Sequence, residues 1–130
     1  MSALLSTEIK TFLDSKIDSV DELEVLLLVR TKPAKEWDAL EIARELRLDP
    51  ITASTLLMSL YVKGLIGHQE KKGRLNEFCY GESPKESDRP LSELATLIQR
   101  ARTEVIDYVT TQQRRQLQAF SDAFDPKKGK

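Results

Sequence analysis

The chain has little of several things that would narrow its chemistry quickly. Its 130 residues include one cysteine and one histidine, so Cys79 has no internal disulfide partner and the soft ligands of a closed structural zinc site are missing. A lone thiol fits a reducing, cytosolic compartment. Long hydrophobic runs are also absent. The longest, Val25 to Val29, is five residues, against the ~20 needed to cross a bilayer, and Met1 to Leu5 offers no basic lead into an apolar stretch. Neither secretion nor a membrane partner is expected. Charge of one sign is missing too: 20 Lys plus Arg against 21 Asp plus Glu leave a net charge of −1, so any attraction for nucleic acid must be local. No nucleophile stands with a base, no glycine loop suits a phosphate, and no ligand cluster suits a metal. The residues therefore predict no enzyme, no cofactor and no metal.

What is present is an ordinary globular balance, 40% hydrophobic and 32% charged, enough for one domain with its own core. The charge is unevenly laid out. Over residues 1–30, Lys10, Lys16 and Arg30 face Glu8, Asp14, Asp18, Asp21, Glu22 and Glu24, a net −3. Over 63–75, Lys63, Lys71, Lys72 and Arg74 face only Glu70, a net +3. Over 113–130, Arg114, Arg115, Lys127, Lys128 and Lys130 outnumber Asp122 and Asp125 by three.

Apolar spacing and caps divide the chain into elements. Ser6 precedes Ile9, Phe12, Leu13 and Ile17 at helical intervals, which predicts a first helix over 7–17. Ser19 opens a second, with Leu23, Leu26 and Leu27 as its apolar stripe, acids in its first turn and Pro33 as its stop. Trp37 follows in a short extended piece. Asp38 and Glu41 form a capping box for a short helix over 39–46. Asp49 and Pro50 start another that runs through Lys63, and Gly64 ends it in a left-handed turn. From Leu65 the period changes. Residues 65–70 and 76–80 read as two strands joined by the cationic turn Lys71-Lys72-Gly73-Arg74, and 82–89, rich in Ser, Pro and charge, reads as a loop. Pro90 then opens a long helix.

Three helices, the last two separated by the short break 47–49, and then a hairpin with a basic turn resemble a winged helix-turn-helix module. The resemblance rests on Glu36-Trp37-Asp38-Ala39-Leu40-Glu41-Ile42-Ala43-Arg44-Glu45-Leu46, on Ile51 to Leu60, and on Lys63-Gly64-Leu65-Ile66, and covers roughly 20–82. With Ile17-Asp18-Ser19-Val20 before it and Ala119-Phe120-Ser121-Asp122-Ala123-Phe124 after it, the chain is similar to a group of bacterial winged-helix, transcription-regulator-like proteins. The fold class expected is α+β, mainly helical: an N-terminal helical extension over 1–19, the module over 20–82, a long C-terminal helix over 90–124 and a basic tail over 125–130. The resemblance implies Trp37 in a small extra strand, with Ile42, Ala43 and Leu46 facing the core. It also implies a double-stranded DNA partner. The third helix of the module would enter the groove with Thr52, Thr55, Ser59 and Lys63, read here as the side opposite Ala53, Leu56, Leu57 and Leu60. Lys71, Lys72 and Arg74 would hold phosphates from the wing, helped by Arg44 and Arg47. Only Lys63 of the four groove-facing residues is charged, whereas tight DNA readers present Arg, Lys, Asn or Gln there. The rival expectation is a winged-helix module that binds protein and no DNA.

In the C-terminal helix, Leu91, Leu94, Ile98, Ala101, Val105 and Tyr108 recur at intervals of 3 and 4, a heptad seam. Such a seam either packs on the first helix of its own chain or joins a second copy, and a homodimer is the preferred expectation because two copies read two half-sites. Beyond it Leu117, Phe120 and Phe124 revive the apolar character. That patch suits the chain's own core, a partner subunit or another protein. His68 reads as a surface residue and Cys79 as a packing or partly exposed thiol.

Overall fold

The computed structural model describes residues 5–69, 77–81 and 88–123. Among these the chain is mainly helical with one small antiparallel sheet, in the order α1 (Thr7–Lys16), α2 (Val20–Thr31), α3 (Ala39–Leu46), α4 (Pro50–Val62), β1 (Gly67–Gln69), β2 (Glu77–Cys79) and α5 (Asp88–Ala123). Each early helix begins where its cap predicts. Ser6 accepts from the Ile9 N–H, Ser19 from Glu22 and Asp49 from Thr52. Asp38 and Glu41 close a reciprocal capping box, so orphan N–H groups of each first turn are satisfied locally.

α3 lies mainly on α4, α4 also on α2, and α5 runs along α1 and α2. The core between them holds Leu23, Val25, Leu26, Val29, Ile42, Ala53, Leu57, Leu60, Leu91, Leu94 and Val105, none more than 1% exposed. Gly64 ends the α4 turn at φ 79°, and Leu65 and Ile66 are buried as the chain leaves it. β1 and β2 then pair with Gly67 opposite Cys79 and His68 opposite Phe78. Trp37 joins the far side of β2 by two backbone hydrogen bonds with Phe78, each 2.7 Å. The hairpin is thereby tied to the segment ahead of α3. A second tie forms at the start of α5, where Asp88 accepts from Arg30 at 3.2 Å and from the Tyr80 hydroxyl at 2.8 Å. Burial, and then that hydrogen bond to Asp88, push the Tyr80 phenol up to about 12.

Two features of the C-terminal helix bear on its expected role. It is not one uninterrupted helix, because the backbone at Ala101 (φ −142°, ψ 48°) leaves helical geometry and divides α5. The seam, moreover, is filled from within the chain. Leu91, Leu94 and Val105 are fully buried, and Ile98 and Tyr108 pack against the same core. The α1 and α2 helices thus cover most of this stripe, and its partly exposed members are Ile98, Ala101 and Tyr108.

A candidate interaction surface on the fourth helix

α4 is the element on which most of the expected site residues fall, and its sequence, PITASTLLMSLYV, contains no charged residue. Its inner face is fixed by Ala53, Leu57 and Leu60, all 0% exposed. The four residues expected to reach outward, Thr52, Thr55, Ser59 and Lys63, lie on one side of the helix within about 80° of one another, but they differ in how far they turn from the core face. At about 100° per residue, Ser59 stands about 120° and Lys63 about 80° from Ala53, which places them on the flank toward α2.

That flank carries a polar network built around a buried carboxylate. Glu22 is 1% exposed. Its Oε1 accepts from the Asp18 N–H at 2.7 Å and from Lys63 Nζ at 2.8 Å, and its Oε2 from Ser59 Oγ at 2.6 Å. Lys63 Nζ also donates to the Lys16 carbonyl at 2.7 Å and to Asp18 Oδ2 at 2.9 Å. A carboxylate this deep requires a cation and several donors, and Lys63 with Ser59 supplies them. The two residues lock α4 to α2 and to the α1–α2 turn. Thr52 and Thr55 are exposed, but their hydroxyls also turn back. Thr55 Oγ1 donates to the Ile51 carbonyl at 3.0 Å, and Thr52 Oγ1 lies 3.4 Å from Asp49 Oδ2. All four side chains expected to read bases thus make their hydrogen bonds within the chain.

Beside Thr52, Ser54 and Thr55, what α4 exposes is apolar. Ile51 and Val62 are each 77% exposed, Tyr61 42% and Met58 39%. The wheel angle could have found them, because Ile51, Met58 and Val62 stand about 160°, 140° and 180° from Ala53. Leu40 of α3 is exposed as well. Arg44 and Arg47 are also exposed, at the end of α3 and in the turn before α4, with exposed Glu45 and Asp49 beside them. Arg47 holds a left-handed backbone, φ 56° and ψ 48°.

The remaining expected residues divide between the described and undescribed parts of the chain. Lys71, Lys72 and Arg74 of the wing turn, and Phe124, lie outside the described residues. On the distal half of α5, Leu117 is 63% and Phe120 66% exposed, and the last buried residue before them is Val109. Ile98 lines an open cleft of about 320 Å³ with Leu27, Leu28 and Leu46, beside the Arg102–Glu24 ion pair. Ala101, at the break in α5, is partly buried. His68 is half-buried, its ring 4.7 Å from that of Phe78 and 5.2 Å from that of Tyr61. Cys79 is half-buried with a free thiol. Among the described residues no helix is long and apolar enough to cross a membrane. Compared with protein-family models, with curated proteins and with solved structures, the chain matches none.

Proposed function

We propose that residues 20–81 form a winged helix-turn-helix module that works as a protein-interaction domain, with α4 as the helix that meets the partner. The element order supports the first half of this reading: α2, α3 and α4 precede a two-stranded hairpin, and Trp37 bridges to β2 as a small extra strand. One observation carries the second half. The outward face of α4 is uncharged and rich in exposed apolar side chains, Ile51, Met58, Tyr61 and Val62, set among the hydroxyls of Thr52, Ser54 and Thr55, and Lys63 is drawn inward to Glu22. Nucleic-acid affinity comes largely from cations that neutralise phosphates, and this helix brings none to its outer face. Burying exposed aliphatic surface against another protein gains roughly 25 cal/mol per Å².

A second reading, a small cytosolic DNA-binding regulator, draws on Arg44 and Arg47, which stand exposed where the chain enters α4. It also draws on the Lys71, Lys72 and Arg74 cluster in the sequence of the wing. The two readings separate in one experiment: fluorescence anisotropy against mixed duplex fragments at ~50 mM and ~200 mM salt. The interaction reading expects no binding at either. Binding that falls steeply with salt and vanishes in the Lys71→Glu, Lys72→Glu variant would overturn it.

A further inference from the structure

The exposed residues of α4 are spaced in a way that reads the same in both directions. Ile51, Thr55, Met58 and Val62 follow one another at intervals of 4, 3 and 4, a short a/d-type seam. When such a seam is laid antiparallel on a copy of itself, Ile51 falls opposite Val62 and Thr55 opposite Met58. Ser54 and Tyr61, seven residues apart on one flank, then face each other. We infer that the occupant of this face is α4 of a second copy, paired antiparallel across a twofold axis between Thr55 and Met58. The inference rests on the reading of α4 as an interaction helix and names its partner.

Four features favour self-pairing. No residue from Pro50 to Val62 is charged, so two identical faces meet without like-charge repulsion, which a self-complementary interface must avoid. Antiparallel helices bring opposite dipole ends together. The Thr55 hydroxyl is already satisfied by the Ile51 carbonyl, so covering it leaves no polar group stranded. The face is also preorganised, because Ser59 and Lys63 fix the rotation of α4 through Glu22, and this lowers the ordering cost of association.

The area sets the strength. A 13-residue helix is about 20 Å long, and two of them side by side bury less than ~1,200 Å², the size of weak, reversible contacts. A dissociation constant on the order of 10–100 μM is expected. A dimer of this kind covers the face that the DNA reading would place in a groove, so self-association and DNA entry through α4 exclude each other.

The test is sedimentation of the full chain from ~1 μM to ~1 mM, for the wild type, the Ile51→Asp, Val62→Asp variant and a Leu117→Asp control. Both α4 positions are 77% exposed, so the variant should melt with the wild type by circular dichroism. The expected result is a dimer that persists at ~1 M salt, weakens at least ~30-fold in the α4 variant and is unchanged by Leu117→Asp. In a Cys79→Ser background, a short thiol crosslinker should join Ile51→Cys chains to Val62→Cys chains in preference to either with itself. A chain that stays monomeric to ~1 mM, a dimer indifferent to the α4 charges, or preferential Ile51–Ile51 crosslinking would each overturn the pairing. A monomer that still loses binding to a different protein on Ile51→Asp, Val62→Asp would remove the self-pairing and leave the interaction reading intact. Salt-steep DNA binding would remove both.

Discussion

Replacing Lys63 with methionine keeps most of the side-chain stem and deletes the ammonium that faces a carboxylate only 1% exposed. Removing one partner of a buried ion pair costs about 3–5 kcal/mol, because the other charge is left uncompensated. Here Glu22 retains two donors, the Asp18 N–H and the Ser59 hydroxyl, which points to the lower end. Asp18 is 67% exposed, and its own pairing with Lys63 adds nothing countable in water. Lys63→Met should therefore lose about 3 kcal/mol, a fall in Tm of about 10 °C for a chain of this size. Glu22→Leu should cost about 2 kcal/mol, since the stranded ammonium keeps Asp18 and partial access to solvent. The double variant buries no charge and leaves chiefly the Ser59 hydroxyl unmatched, at about 1–3 kcal/mol. Urea unfolding of all four proteins closes the cycle, and a coupling of about 2–4 kcal/mol is expected. A loss below ~1 kcal/mol for Lys63→Met, or a double variant equal to the sum of the singles, would refute the account of Glu22 as a buried charge held by Lys63.

Leu94→Ala should destabilise the isolated chain by about 2–5 kcal/mol, because Leu94 is fully buried within it; a change confined to the association state would restore the seam to an interface. Gly64→Ala should cost about 1 kcal/mol on conformation alone, since φ is 79° and nothing lies within 4 Å of an added Cβ. Arg47→Gly should recover up to ~1 kcal/mol at the other left-handed position; both are read from denaturant midpoints. Burial pushes the Glu41 carboxyl up, but the Lys35 ammonium and the Asp38 N–H outweigh it and hold it below 4.5. A carboxyl depressed in the folded state contributes stability above its unfolded pKa and loses it as pH falls through the folded one. Glu41→Gln should consequently cost stability above 4.5 and matter progressively less as pH falls below it, so the variant's profile is flatter on the acid side. Tyr80 has the opposite slope: its contribution is complete below 10 and is lost as pH rises toward about 12. Absorbance titration should show one phenol ionising only near that upper value, absent in Tyr80→Phe.

Where a structural decision is local, the sequence carried it. Ser6, Ser19, Asp38 and Asp49 cap the helices that follow them, because a cap depends on residues within one turn of itself. Decisions that depend on distant partners were not legible. Glu22 looked like one more acid of the first turn of α2, and nothing near it in sequence announces Ser59 and Lys63, 37 and 41 residues away. The seam of α5 was visible as a pattern, but its cover was not, since an apolar stripe looks the same whether α1, α2 or another copy lies on it. Nor did proline or glycine mark the break at Ala101, the usual signals of a kink. On α4 the outward arc mixes Thr55 with Ile51, Met58 and Val62 at about 140–180° from Ala53, so periodicity marks the face without saying whether its hydroxyls or its apolar side chains meet a partner.

The attachment of the hairpin through Trp37 gives the molecule a built-in optical gauge. The chain has one tryptophan, 4% exposed, bonded on both backbone sides to Phe78 and covered by the Lys35 ammonium 4.7 Å from its ring centre. Its emission therefore reports a single junction, where the hairpin meets the helices. A detached hairpin would wet the indole and move its emission to the red while the helical ellipticity stayed high. Fluorescence and circular dichroism recorded through the same melt thus distinguish a chain that unfolds in one step from one that sheds its hairpin first.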